Sequence, residues 1–201
     1  MNKIVLCIAI AACLVMAMPA AASTVVDFDD AITDPITWHM PSGYAGFNWS
    51  DRWGVMSSGY YGDNPSGYAN GTISGSYVAF NSMGMPVEIS RDESFVFVGA
   101  YFTAAWHDDL QITAQGYLGD DLLYSKTFTA SVESPTWVQF GWGRTDRIAF
   151  SSSGGTPMGW LLPGTQFAMD NMTYRAPAPG AIILVGLGTG LTGWLRRRRT
   201  L

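Results

Sequence analysis

Through the middle of the chain, apolar and polar positions alternate in short runs rather than recurring every three to four residues. Leu110 to Leu118 alternates with period two and puts Leu110, Ile112 and Ala114 on one face. Gly119-Asp120-Asp121 then marks a turn, and Leu122 to Thr129 returns, so the pair predicts a β-hairpin. Thr24 to Phe28, Ser76 to Phe80 and the aromatic, β-branched run Phe95 to Phe102 predict further strands. Thr136 to Phe140, Arg147 to Phe150 and Phe167 to Tyr174 complete the set. No stretch between residues 23 and 175 keeps a capped helical period. Many short strands with Gly, Ser, Pro and Asp between them predict an all-β body over 23–175, an antiparallel β-sandwich of jelly-roll type. Met40 to Gly75 breaks the pattern: it is dense in Gly, Ser, Tyr and Asn, and reads as long connecting loops with short strands near Phe47–Trp49 and Val55.

The two ends follow another rule. Met1-Asn2-Lys3 is a short cationic start, Ile4 to Met18 is nearly all apolar, and Ala20-Ala21-Ala22-Ser23 offers small residues for cleavage. This predicts a secretory signal peptide over 1–22, cut by signal peptidase after Ala22 or after Ser23. Ile10-Ala11-Ala12-Cys13 loosely matches a lipoprotein site, but the apolar run continues past Cys13. At the other end, Gly180 to Leu195 carries no charge and is followed by Arg196, Arg197, Arg198 and Arg199. A segment this apolar is nearly long enough to span a bilayer, and arginines stay on the cytoplasmic side, so the body is expected to face outward.

The order of features over 176–201 carries a resemblance. Pro177-Ala178-Pro179-Gly180, a Gly-rich apolar helix over 180–195 and the arginine cluster over 196–199 resemble the PEP-CTERM sorting signal of Gram-negative and related bacteria. The resemblance implies recognition by an exosortase, a membrane cysteine protease-transpeptidase that removes the helix and passes the protein to the cell surface or extracellular matrix. Ala178 stands where that motif has glutamate. A plain single-span anchor is the alternative reading of the same tail. The body resembles galactose-binding-like jelly rolls in three places: Asp27-Phe28-Asp29-Asp30, Tyr44-Ala45-Gly46-Phe47-Asn48-Trp49 and Phe167 to Tyr174. That resemblance implies that the first and last strands lie side by side.

Charge and cysteine usage narrow the function. The chain has a formal net charge of −5. Lys3 and the four terminal arginines supply five positive charges, so the body between the ends is about ten negative, which disfavours nucleic-acid partners. The two cysteines, Cys7 and Cys13, both fall in the expected signal, so the body rests on its core rather than on disulfides.

Three chemistries are nominated. Asp27, Asp29 and Asp170, with Asp30 and Asn171, are hard oxygen ligands that pairing of the chain ends could bring together as a calcium site; a solvated turn at Asp29-Asp30 and local side-chain hydrogen bonds at Asp170-Asn171 are the competing reading. Trp49, Trp53, Tyr60 and Tyr61, among further loop aromatics Trp38, Tyr44 and Tyr68, suit polysaccharide, because ring faces meet sugar C–H groups; core packing is the competing role. His107-Asp108-Asp109 superficially suggests acid–base chemistry, but adjacent residues on a strand face opposite ways, so no catalytic residue is assigned and no enzyme is expected. The sequence therefore predicts an exported surface or matrix protein with a structural or adhesive role, or alternatively a carbohydrate-binding module for matrix glycans, with a hydrolase as the third reading.

Overall fold

The computed structural model describes residues 22–176, apart from 63, 65 and 160–163. The expected signal peptide, the Pro177–Gly180 motif, the 180–195 helix and the arginine cluster lie outside those residues, Ala22 excepted. Among the described residues no helix is long and apolar enough to cross a membrane.

The strands are β1 (Ser23–Val26), β2 (Ile36–Thr37), β3 (Asn48–Trp49), β4 (Trp53–Ser57), β5 (Tyr77–Asn81), β6 (Val87–Ala104), β7 (His107–Asp108), β8 (Leu110–Leu118), β9 (Asp121–Ala130), β10 (Thr136–Gln139), β11 (Arg144–Ser153), β12 (Thr156–Pro157) and β13 (Phe167–Arg175). All pairings are antiparallel. Each run expected from alternation contains a strand, and Gly119 and Asp120 turn between β8 and β9.

β6 joins two layers. Its first half pairs with β3 and β11, and β11 continues to β8 and β9. Its second half pairs with β13 and β10, and β13 continues to β5, β4 and β2. Inward residues of both layers, among them Val55, Phe102 and Met169 from one and Ile89, Ile112 and Phe150 from the other, form one buried cluster. A sandwich results because each sheet has one apolar face that must leave water, and facing the two apolar sides achieves this for both.

The ends of the body do lie side by side: β1 pairs with β13 from Ser23↔Arg175 to Val26↔Met172. β1 stops two residues earlier than its apolar pattern, because Phe28 takes a left-handed backbone (φ 66°) that drops its ring into the core. The Met40–Gly75 stretch holds the two short strands expected in it, β3 and β4. It adds one helical turn that its composition does not predict, α1 (Gly67–Asn70), whose N-terminus is capped by Ser66 Oγ accepting from the Ala69 N–H. Gly67 allows α1 to press onto β6, since a Cβ there would lie 1.7 Å from the Ala104 carbonyl oxygen.

Candidate functional site

β4 and β5 explain the site. Trp53 and Val55 on β4 point into the core, while Met56 points outward; on β5, Ala79 points inward and Val78 and Phe80 outward. The outward residues do not meet water. With Tyr68, Ala105, Trp106 and Ala168 they form a second buried cluster on the outer face of that sheet. Gly54 makes room for it: a Cβ there would lie 2.5 Å from the Phe80 ring, so the ring lies across β4.

The rings of this outer cluster run on to the surface. Tyr68, on α1, meets Phe80 at 5.5 Å and Trp106 at 5.6 Å, both edge to face. Tyr61 stacks on Tyr68 at 5.9 Å and meets Trp106 at 4.9 Å. Tyr60 meets Tyr61 at 5.0 Å, and Trp38 meets Phe80 at 5.7 Å. The two ends are open to solvent: Trp38 is 48% exposed and Tyr60 43% exposed. Burial holds the Tyr68 phenol far above its usual range, and burial followed by the neighbouring Tyr60 raises Tyr61, so both act as neutral hydroxyls. The turn after β4 is fixed by the Tyr60 N–H donating to the Ser57 carbonyl and by the Asn64 side chain donating to the Tyr61 carbonyl. The result is a rigid ring surface whose base is core and whose edges are wet, a combination suited to flat ligands that are apolar on one side.

The four nominated aromatics therefore separate. Tyr60 and Tyr61 belong to this surface. Trp53 does not: it is fully buried, donates its indole N–H to the Glu88 carbonyl at 3.0 Å, and packs on Trp49, Phe150 and Phe167. Trp49 is half-buried, donates to the Tyr44 carbonyl at 2.9 Å and packs on Phe28 and Phe47. Both are wall and core rather than ligand surface. The short strand expected near Val55 is β4, and because it is buried on both faces its sequence does not show that Trp53 points inward. Phe80 and Trp106 were missed as parts of the site; the outward position of Phe80 in an alternating strand was the available signal.

The nominated calcium ligands hold a different group. Asp29 Oδ1 accepts from the Ser76 and Tyr77 N–H groups at 2.6 and 3.2 Å. Asp170 Oδ2 accepts from the Ile73 and Ser74 N–H groups at 2.7 and 3.1 Å, and its Oδ1 from the Asn171 N–H at 2.6 Å. The Ser74 hydroxyl donates to Asn171 Oδ1, and the Tyr44 hydroxyl donates to Asp30 at 2.7 Å. Asp27 accepts from the Asp29 N–H. These carboxylates are engaged by amide and hydroxyl donors, and among the described residues no three His, Cys, Asp or Glu groups come together as a metal site. The carboxylates instead fasten the 73–77 segment to the paired chain ends. Burial pushes the Asp170 carboxyl up to about 6, against the pull of its three amide donors.

His107 and its neighbours are also taken up by backbone. His107 Nδ1 sits 3.1 Å from the Gly154 carbonyl and its Nε2 accepts from the Gly164 N–H. Asp108 accepts from the Val132 N–H at 2.9 Å, which holds its carboxyl below the usual range, and Asp109 takes a left-handed turn (φ 58°) into β8.

No protein-family model matches the chain. No curated protein matches it either. Among solved structures it is similar to TmCBM61 in complex with β-1,4-galactotriose, with 14% identity over 67% of this chain and 94% of that chain and a TM-score of 0.37. At that distance the likeness is one of outline, and no residue of this chain takes a role from it.

Proposed function

We propose that this is an exported, surface-sorted protein whose β-sandwich binds neutral polysaccharide through Trp38, Tyr60 and Tyr61, a role in adhesion to the cell envelope or matrix rather than in catalysis. The observation that carries the reading is the ring surface itself: two exposed aromatics held in place by a buried aromatic base. Ring faces pack on the C–H side of a sugar, and a base already ordered before binding spares the ligand the entropy of arranging it. The strongly acidic body favours neutral over anionic chains. The signal-like start and the Pro177-to-Arg199 tail support export and handling by an exosortase-like enzyme.

The binding is tested on the full chain with soluble galactan and β-glucan in affinity gels. Retardation that Tyr60→Ala and Trp38→Ala abolish together, with unchanged melting, supports the reading. Absence of retardation in the parent protein, or equal retardation in the double variant, overturns it. Sorting is tested separately by mass spectrometry of protein recovered from the cell surface: an intact tail through Leu201 counts against exosortase handling.

A further inference from the structure

The outer face of the same sheet carries a second set of rings. On β6, Ala100, Phe102 and Ala104 belong to the core, so Tyr101 and Thr103 point outward; on β10, Val138 points inward and Trp137 outward. Register puts Trp137 opposite Tyr101, and their rings meet at 5.2 Å. The next rung is continuous over four strands: Gln139 pairs with Gly99, Gly99 with Thr173, and Thr173 with Val25. Gly99 is what lets the indole lie down. A Cβ there would sit 2.5 Å from Trp137 Cζ2, so the ring rests on the β6 backbone and is 38% exposed. Phe80 over Gly54 repeats the device at the first ring set. Helix α1 lies on the same face, its following residue Gly71 close over Thr103, one outward position along β6 from Tyr101. The residues of this second rung are uncharged, with amide and hydroxyl groups and an exposed valine beside the indole. The Trp137–Tyr101 rung itself continues to Asp170, which is buried beneath the Ile73 and Ser74 amides.

We infer that Trp137 and Tyr101 form a second contact for a neutral polysaccharide, so that the ligand is an extended chain reaching both ring sets rather than a short terminal sugar. The inference rests on the polysaccharide-binding reading above. Geometry gives the chain its length: from Gly54 on β4, over which Phe80 carries Trp38, register leads through Phe80 and Ala168 to Thr103 on β6, about 14 Å across the sheet, and Gly99 under the indole lies four residues, about 13 Å, further along β6. Charge favours this occupant. An apolar protein partner would need a larger exposed apolar patch than an indole, a phenol edge and Val25 provide. An anionic chain would meet a strongly acidic body, and the nearby cations are engaged, Lys126 with the Gln139 carbonyl and Arg175 with the Ser23 hydroxyl.

The test uses the full chain, with galactan and β-glucan each supplied as polymer and as trisaccharide, read by titration calorimetry. The parent protein binds polymer more tightly than trisaccharide. Trp137→Ala lowers polymer affinity by about tenfold and trisaccharide affinity by less than about twofold, while Trp137→Phe keeps most of the polymer affinity. Polymer affinity unchanged in Trp137→Ala, or equal losses for both lengths, overturns the second contact and leaves the first standing. Failure of the parent protein to bind any of the four probes overturns both.

Discussion

The molecule holds two aromatic clusters built from the same residue types, one between the sheets and one on an outer face. In the inner one, Trp53 is enclosed by Trp49, Phe150 and Phe167, and its indole N–H is spent on the Glu88 carbonyl. In the outer one, Tyr68 and Phe80 are equally buried but lead by edge contacts to Tyr60 and Trp38, which are open. Enclosure on all sides makes an aromatic a stability residue. Enclosure from below alone makes it a rigid surface. The two roles are separated by a single step along β4 and β5, since alternate residues of these strands face the two clusters.

The sharpest way to break this contrast is Trp53→Ala. It should cost about 4 kcal/mol in chemical denaturation, much of the stability of an ordinary domain. A loss below about 1 kcal/mol would mean that the inner cluster is not the core it is taken to be. Phe80→Ala should cost roughly 3 kcal/mol, because its ring supports both the outer cluster and Trp38. Gly54→Ala probes the same support without removing an atom. The added methyl would lie 2.5 Å from the Phe80 ring and 2.6 Å from the Thr37 carbonyl oxygen, well inside van der Waals contact, and should cost roughly 2 kcal/mol and alter the tryptophan fluorescence. Trp38→Ala should change stability by less than about 1 kcal/mol while weakening polysaccharide binding, since nearly half of the side chain is already in water.

A pH measurement sharpens the other half of the design, the attachment of the 73–77 segment. Asp170 has its carboxyl raised from 3.8 to about 6 chiefly by burial, with Asp29 adding to the rise. The folded form therefore keeps a proton that the unfolded form has lost. The resulting stability is fully present below 3.8 and is lost as pH rises through about 6. Urea midpoints taken across that window should fall with rising pH, and Asp170→Asn should flatten the slope. A slope of opposite sign in the parent protein, with no change in the variant, would assign the pH dependence to other carboxylates, Asp108 among them, whose lowered value acts in the reverse direction.

Much of the sandwich was legible. Leu110, Ile112 and Ala114 were expected on one face and all three are fully buried. The hairpin at Gly119 and the pairing of the chain ends were also anticipated. β4 was harder to read, because Trp53, Gly54, Val55 and Met56 are buried on both faces and so show no alternation, and the surrounding Gly and Ser imitate a loop. At the site, residue types were informative and their partners were not. Asp29 and Asp170 were picked as oxygen donors that converge near the paired ends, yet the groups they hold are amides of residues 73, 74, 76 and 77. Gly75 makes that grip close: a Cβ at its left-handed position (φ 56°) would overlap the Asp29 carboxylate.

By itself the sequence determined the strand-forming segments, the apolar face of those that alternate, the acidic charge of the body and the apolar, cation-flanked composition of the ends, because all of these depend on neighbours within a few residues. Tertiary structure alone decided which tryptophans are core and which are surface, and what the carboxylates bind. Those outcomes depend on which distant strand covers a given face, and a side chain's exposure belongs to the pair of surfaces that meet over it rather than to the residue.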